Sequence, residues 1–175
     1  LPLTAVEDVL GIMKAYTTRV GAGPFPTEID GHLADSIREK GHEFGTVTHR
    51  PRRVGWLDLP QLKYVIEISG IKRVALMLLD VLSAVDELKL CTGYFIDGKE
   101  IDYMPSTVAE LEKVEPQFIT MPSWKEDISS IRNYDELPLN CRRYLETIEE
   151  KLGVKIAMVS VGPDKEATIL REELF

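Results

Sequence analysis

The chain is poor in the features that mark several large classes of protein. It has two cysteines in 175 residues, Cys91 and Cys141, too few for a disulfide framework and without metal-ligand spacing. Its three histidines, His32, His42 and His49, belong to no HExxH or paired Cys/His pattern, so no metal centre is read. No stretch approaches the ~20 consecutive apolar residues of a membrane span, and no basic-then-apolar start reads as a signal peptide. A basic surplus is missing too: 21 Lys+Arg stand against 29 Asp+Glu, for a formal net charge of −8, whereas binding nucleic acid broadly needs a basic face. The GxxxxGK[ST], GxGxxG and GxSxG patterns are all absent. A cytoplasmic protein with neither nucleic-acid nor membrane partners is the expectation.

With 44% hydrophobic and 29% charged residues, the composition is that of a folded domain, and the length suits one domain with a sizeable core. The chain opens on Leu1 rather than Met and runs straight into a helical pattern. Thr4 and Glu7 have capping-box spacing, and Val6, Val9, Leu10 and Met13 recur at helical intervals, predicting a helix over 5–16. A loop follows at 20–26, with two Gly and two Pro in seven residues, then a helix over 28–40. Asp58 is placed to cap a helix with Pro60 in its first turn, Leu62, Val65 and Ile66 inward and Gly70 as its stop. The apolar run 74–79 reads as a strand buried on both faces, as in parallel sheets. Segments 88–95 and 100–104 flank Asp97-Gly98, a hairpin signal. A polar section runs to Pro138. Tyr144, Leu145, Ile148 and Leu152 then mark a helix closed by Gly153, followed by strand 155–161, a turn and a short apolar end at 168–170. The predicted class is mixed α/β, with a mainly parallel sheet and an inserted β-hairpin.

Three segments carry candidate chemistry. Residues 45–56 place Arg50, Arg52 and Arg53 within four positions of an acidic chain, with Thr46 and Thr48 beside them and Pro51 between. Planar guanidinium forks suit carboxylates and phosphates, so an anion site is one reading. A solvated basic loop, or arginines paired with surplus acids, is the plain alternative. Asp80 ends the apolar run, where open α/β sheets bind ligands. One carboxylate there suits the paired N–H donors of guanine, although from this residue alone an ordinary turn or cap Asp is the favoured reading. The turn Ser160-Val161-Gly162 offers backbone groups to a purine, or is simply a turn. His32 and His42 read as solvated, and Trp56 and Trp124 as core or interface residues.

Taken in order, these segments resemble the adenylosuccinate synthetase family. The stretch Ala15-Tyr16-Thr17-Thr18-Arg19-Val20-Gly21-Ala22-Gly23-Pro24-Phe25-Pro26-Thr27-Glu28 is similar to its signature loop. His42-Glu43-Phe44-Gly45, Arg50-Pro51-Arg52-Arg53 and Gly55-Trp56-Leu57-Asp58 are similar to its arginine loop. Leu79-Asp80-Val81-Leu82 and Ser160-Val161-Gly162-Pro163 follow in the family's order, and the likeness spans essentially the whole chain.

The resemblance implies a GTP-dependent ligase that joins IMP and L-aspartate with magnesium, as a homodimer. GTP phosphorylates the purine 6-oxygen, and the aspartate amine then displaces phosphate. By position, Thr46, Val47, Thr48, His49, Arg50, Pro51 and Arg52 form the aspartate loop. Val20 and Arg50 lie at IMP, and Arg52, Leu78, Leu79, Asp80, Ser160, Val161 and Gly162 at GTP.

Three positions depart from the family pattern. His49 stands where the family usually has Gly and is strained if that position needs positive φ. Leu78 stands for the usual Lys, and Val161 for a more polar residue. The family's phosphate loop, catalytic Asp and His and magnesium ligands match nothing here, and the resemblance places them upstream of Leu1. It therefore implies the C-terminal portion of a P-loop-NTPase-like synthetase fold over residues 1–175, inactive alone. The alternative is a non-catalytic nucleotide- or dicarboxylate-binding module, or a family member that has lost activity.

Overall fold

The computed structural model describes residues 8–173. Leu1, upstream of which the family's catalytic residues are expected, lies outside them, as does the expected Thr4–Glu7 capping box. The continuation of that predicted helix is not helical: Leu10–Lys14 is strand β1. The interval between Leu10 and Met13 mimics a helix, but Gly11 weakens one. Parallel pairing to Arg73–Met77 (β5) decides the local structure. Between these two, in chain order, come β2 (Thr17–Arg19), α1 (Gly31–Lys40), β3 (Arg53–Gly55), β4 (Leu57–Asp58) and α2 (Leu59–Ser69). After β5 come β6 (Glu87–Ile96), β7 (Lys99–Ile101), α3 (Val108–Leu111), β8 (Glu115–Pro122), α4 (Leu139–Leu152), β9 (Lys155–Ser160) and β10 (Thr168–Leu170).

One sheet runs β1-β5-β9-β10, with β1, β5 and β9 parallel and β10 antiparallel. Val74, Ala75, Leu76, Ile156, Ala157 and Val159 are buried along its middle strands, as expected of strands covered on both faces. The Asp97-Gly98 hairpin joins β6 to β7 in a second sheet, in which β4 pairs parallel to β6. Strand β8 completes that sheet. It lies in the section expected to be only polar, because its residues are half-exposed on one side of a long antiparallel ladder with β6.

Helix α2 follows the capping expectation. The Asp58 carboxylate accepts from the Gln61 N–H at 3.1 Å, Pro60 lies in the first turn, and Gly70 closes the helix. Val65, expected inward, is exposed, while Ile66 is buried. Trp56 and Trp124 are core residues. Among the described residues no helix is long and apolar enough to cross a membrane.

Two features of this topology position the site. First, the parallel strands end together, so Ala15 and Tyr16 after β1, Leu78–Asp80 after β5 and Val161–Gly162 after β9 leave one edge of the sheet. Second, β2 and β3 form an antiparallel ribbon with Arg19 opposite Arg53. Val20 and Arg52 therefore leave the same end of the ribbon.

The ribbon needs Gly55. A Cβ there would lie 2.6 Å from the Phe25 ring and 2.7 Å from the Thr27 carbonyl, and the carbonyl is backbone that cannot swing away. Gly55→Ala is expected to destabilise the fold by about 1–3 kcal/mol in chemical denaturation. An unchanged midpoint would show that this contact relaxes freely.

Candidate functional site

The three clustered arginines have three different settings. Arg53 is a strut: its guanidinium pairs with both Glu28 oxygens and donates to the Gly21 and Gly23 carbonyls, the latter at 2.8 Å. With Arg19, which donates to the carbonyls of Ala22 and Pro24, it holds the Gly-Pro loop in shape. Arg52 donates from one nitrogen to Glu43 Oε2 at 2.9 Å. The Arg50 side chain is exposed, and its guanidinium makes no hydrogen bond or ion pair with the described residues. Internal pairing thus explains Arg53 and part of Arg52, and leaves Arg50 available to a ligand.

The loop bearing Arg50 is closed at its neck. Gly45 N–H donates to the Arg50 carbonyl at 2.9 Å, His49 N–H to the Gly45 carbonyl at 2.9 Å, and Arg52 N–H to the Glu43 carbonyl at 2.9 Å. Phe44 and Pro51 bridge beneath it. Thr46, Val47, Thr48 and His49 stand at its tip, Val47 exposed at 90%, and the exposed Arg50 and Pro51 follow at its neck. His49 has φ 50°, so this position does take the left-handed conformation that costs a non-glycine residue energy. Val20, exposed at 81%, stands at the same end of the β2–β3 ribbon.

At the sheet edge, Leu78 also has positive φ, 62°. It turns the chain from β5 into a 3₁₀ turn over Leu79–Ala84. Leu79 is fully buried, so its side chain belongs to the core, and Leu78 packs half-buried against it. Asp80 Oδ1 is buried and has no hydrogen-bond partner. Burial, with the Asp127 charge adding to it, holds the Asp80 carboxyl above its ordinary range, and the nearby backbone N–H groups of Asp80 and Val81 and the Lys40 charge only partly offset this. A buried acceptor without a donor is costly, and few such exceptions persist in folded proteins.

Beside it, Ser160 donates its hydroxyl to the Gly162 carbonyl at 2.9 Å. Val161 is fully buried, with its N–H bonded to the Ala167 carbonyl at 2.9 Å. The Val161 side chain thus belongs to the core, and only main-chain groups of this turn are open to other partners.

Sequence reasoning gave no role to the residue between the two clusters. Glu43 is 1% exposed. Its Oε1 accepts from Lys14 Nζ and from the Tyr16 hydroxyl, each at 2.6 Å, and its Oε2 accepts from Arg52. Burial alone would raise its pKa, but those three hydrogen bonds outweigh burial and hold the carboxyl below its ordinary range. The hydrogen bond from Tyr16 needs Gly41, where a Cβ would lie 2.2 Å from the phenol oxygen. The only sequence signal was the His42-Glu43-Phe44-Gly45 string itself, which carries no chemical pattern.

The adenylosuccinate synthetase family profile matches residues 1–169. The chain belongs to that family. It is 52% identical over 173 residues to the adenylosuccinate synthetase of Malacoplasma penetrans, covering 98% of this chain and 41% of that protein. It is 51% identical over 170 residues to that of Alkaliphilus metalliredigens, covering 97% and 40%. The solved structure of the fully ligated adenylosuccinate synthetase from Plasmodium falciparum matches with a TM-score of 0.95 at 40% identity, over 98% of this chain and 42% of that one. The chain thus spans about 40% of the length of these relatives. Magnesium, used by the adenylosuccinate synthetase family, finds no cage here: among the described residues no three His, Cys, Asp or Glu side chains converge to hold a metal.

Glu43 supplies a pH test. A carboxyl depressed in the folded state contributes stability above its unfolded value, near 4.5, and loses it as pH falls through the folded value. Removing one partner of a buried ion pair costs about 3–5 kcal/mol. Glu43→Gln is therefore expected to lose about that much at pH 7, and the gap to the unmodified protein should close progressively below pH 4.5 in thermal melts. A gap independent of pH would contradict the ionised pairing.

Proposed function

We propose that this chain supplies the aspartate- and guanine-binding part, the C-terminal portion, of a GTP-dependent ligase that joins IMP to L-aspartate, forming adenylosuccinate. The observation that carries the reading is the unbonded, buried Oδ1 of Asp80 at the carboxyl edge of the parallel sheet. Guanine presents N1–H and an exocyclic amine side by side, and one carboxylate accepts both. Adenine has no such pair, so binding it would leave Asp80 unsatisfied, a penalty that discriminates strongly.

The arginine loop supports the other half. Arg50 presents an uncommitted fork, Arg52 keeps the nitrogens that Glu43 does not occupy, and Thr46 and Thr48 stand beside them. A dicarboxylate needs two cationic forks and hydroxyl donors. Val20 and the stem of the arginine loop leave the same end of the β2–β3 ribbon, which supports an IMP contact through Val20 and Arg50 next to the aspartate loop. Holding the aspartate amine near the purine lowers the entropic part of the barrier to displacement. Arg52 also faces the GTP phosphates in this reading, and Leu78, Leu79, Ser160, Val161 and Gly162 frame the guanine through backbone and packing. Val47, His49 and Pro51 shape the aspartate loop. The magnesium ligands and the groups that act on the transferring phosphoryl come, in the same reading, from polypeptide upstream of Leu1. The enzyme works as a cytoplasmic homodimer in AMP synthesis.

Two substitutions in the full-length polypeptide test these assignments by steady-state kinetics. Arg50→Ala should raise the KM for aspartate by on the order of 100-fold, as expected for losing a charge-assisted bidentate contact, with little change in the KM for GTP. Equal aspartate kinetics would remove Arg50 from the site. Asp80→Asn should cut the preference for GTP over ATP by at least roughly tenfold, and retained preference would remove Asp80. No turnover at all by the unmodified full-length polypeptide would favour a family member without activity, for which His49 in place of the usual glycine and Leu78 in place of the usual lysine are the motive.

A further inference from the structure

Three segments meet at the Glu43 carboxylate. The first is the end of β1, through Lys14 and Tyr16 on Oε1. The second is the exit from α1, which carries Glu43 itself and is fixed by its N–H to the Arg38 carbonyl at 2.8 Å. The third is the arginine loop, through Arg52 on Oε2. The end of β1 is in turn bonded to the guanine-side turn. Ala15 N–H donates to the Met77 carbonyl at 2.9 Å, one residue before the left-handed Leu78 and three before Asp80. Tyr16 is 2% exposed, and its phenol is raised by burial, by the hydrogen bond to Glu43 and by the charges of Glu43 and Asp80.

We propose that Glu43 is a positioning residue that ties the guanine-side turn to Arg52, so that a guanine nucleotide and a dicarboxylate strengthen one another's binding. The inference rests on the ligase reading above. A nucleotide that fills Asp80 stiffens the turn and the adjoining end of β1. Lys14 and Tyr16 then hold Oε1 still, and Oε2 aims the Arg52 fork. Well-packed interiors transmit such shifts because side chains have few alternative places to go. The coupling is reciprocal, because a linkage free energy acts equally on both ligands.

Glutamate is required for this by its donor set. Both oxygens accept, one from an ammonium and a hydroxyl and the other from a guanidinium. Glutamine has one oxygen and one amide NH2, so either flip state turns a donor against a donor. Aspartate has both oxygens but lacks a methylene of reach.

The test is calorimetric titration of L-aspartate into the full-length polypeptide with saturating IMP, with and without GDP. The readout is the ratio of the two aspartate dissociation constants. The unmodified protein should bind aspartate at least about fivefold more tightly with GDP, and in Glu43→Gln the ratio should fall to within about twofold of one. Tyr16→Phe guards against loss of fold, because it keeps both ion pairs of Glu43 and removes only the phenol bond; its ratio should fall as well. A ratio retained in both variants would overturn the proposal, even if all affinities drop together, because that is the pattern of a merely structural residue. A ratio of one in the unmodified protein would also overturn it while leaving the ligase reading intact. Failure of the unmodified protein to bind aspartate at all would overturn the ligase reading and this inference with it.

Discussion

A buried carboxylate surrounded by two cations and a phenol is the constraint on which this site depends. Glu43 lies in the low-polarity interior where an unpaired charge is prohibitive. Lys14, Tyr16 and Arg52 are therefore obliged to converge on it. Their convergence brings the end of an edge strand, the exit of α1 and the stem of the arginine loop to one point. The Gly41 position shows how close that packing is, since even a methyl group there would overlap the Tyr16 hydroxyl. With its stem held, the loop closes through its own backbone bonds and presents Thr46 to Pro51 to solvent.

A division of labour among like residues follows. Arg53 and Arg19 are consumed by carbonyls of the Gly-Pro loop and by Glu28, which makes that loop a rigid platform under Val20. Arg52 is held halfway, and Arg50 is left free for a ligand. On the opposite side, Asp80 retains an unbonded oxygen beside the turn after β9. The donor-rich loop and the acceptor-bearing turn are joined through the end of β1, by Tyr16 to Glu43 and by Ala15 to Met77. Strain accompanies this arrangement: His49 and Leu78 both hold positive φ, which persists only where the surrounding structure fixes it.

Much of this was legible from the residues. The capped helix after Asp58, the Asp97-Gly98 hairpin and the buried strand before Asp80 follow from local rules that tertiary contacts did not override. Strand β1 was not legible, because Leu10 and Met13 satisfy a helical interval while β5 supplies a parallel partner far along the chain. Strand β8 was hidden for a related reason: its alternation is muted by Pro116, Gln117 and Thr120, and its ladder with β6 determines it. In the site, the positions of Arg50 and Asp80 were readable, but their availability was not. Whether an arginine is free or tied depends on carbonyls and acids many residues away, as Arg53 and Glu28 illustrate. Glu43 was invisible for the same reason, since a lone Glu after a helix reads as a surface residue until its burial is known.

The most direct test of the account is a crystal structure of the full-length polypeptide with IMP, GDP and a non-reactive dicarboxylate analogue of aspartate. The account predicts the Arg50 fork on a carboxylate of that analogue, and Asp80 Oδ1 accepting from the guanine base. A dicarboxylate bound away from the loop at 46–52, or a guanine that leaves Asp80 unbonded, would contradict it.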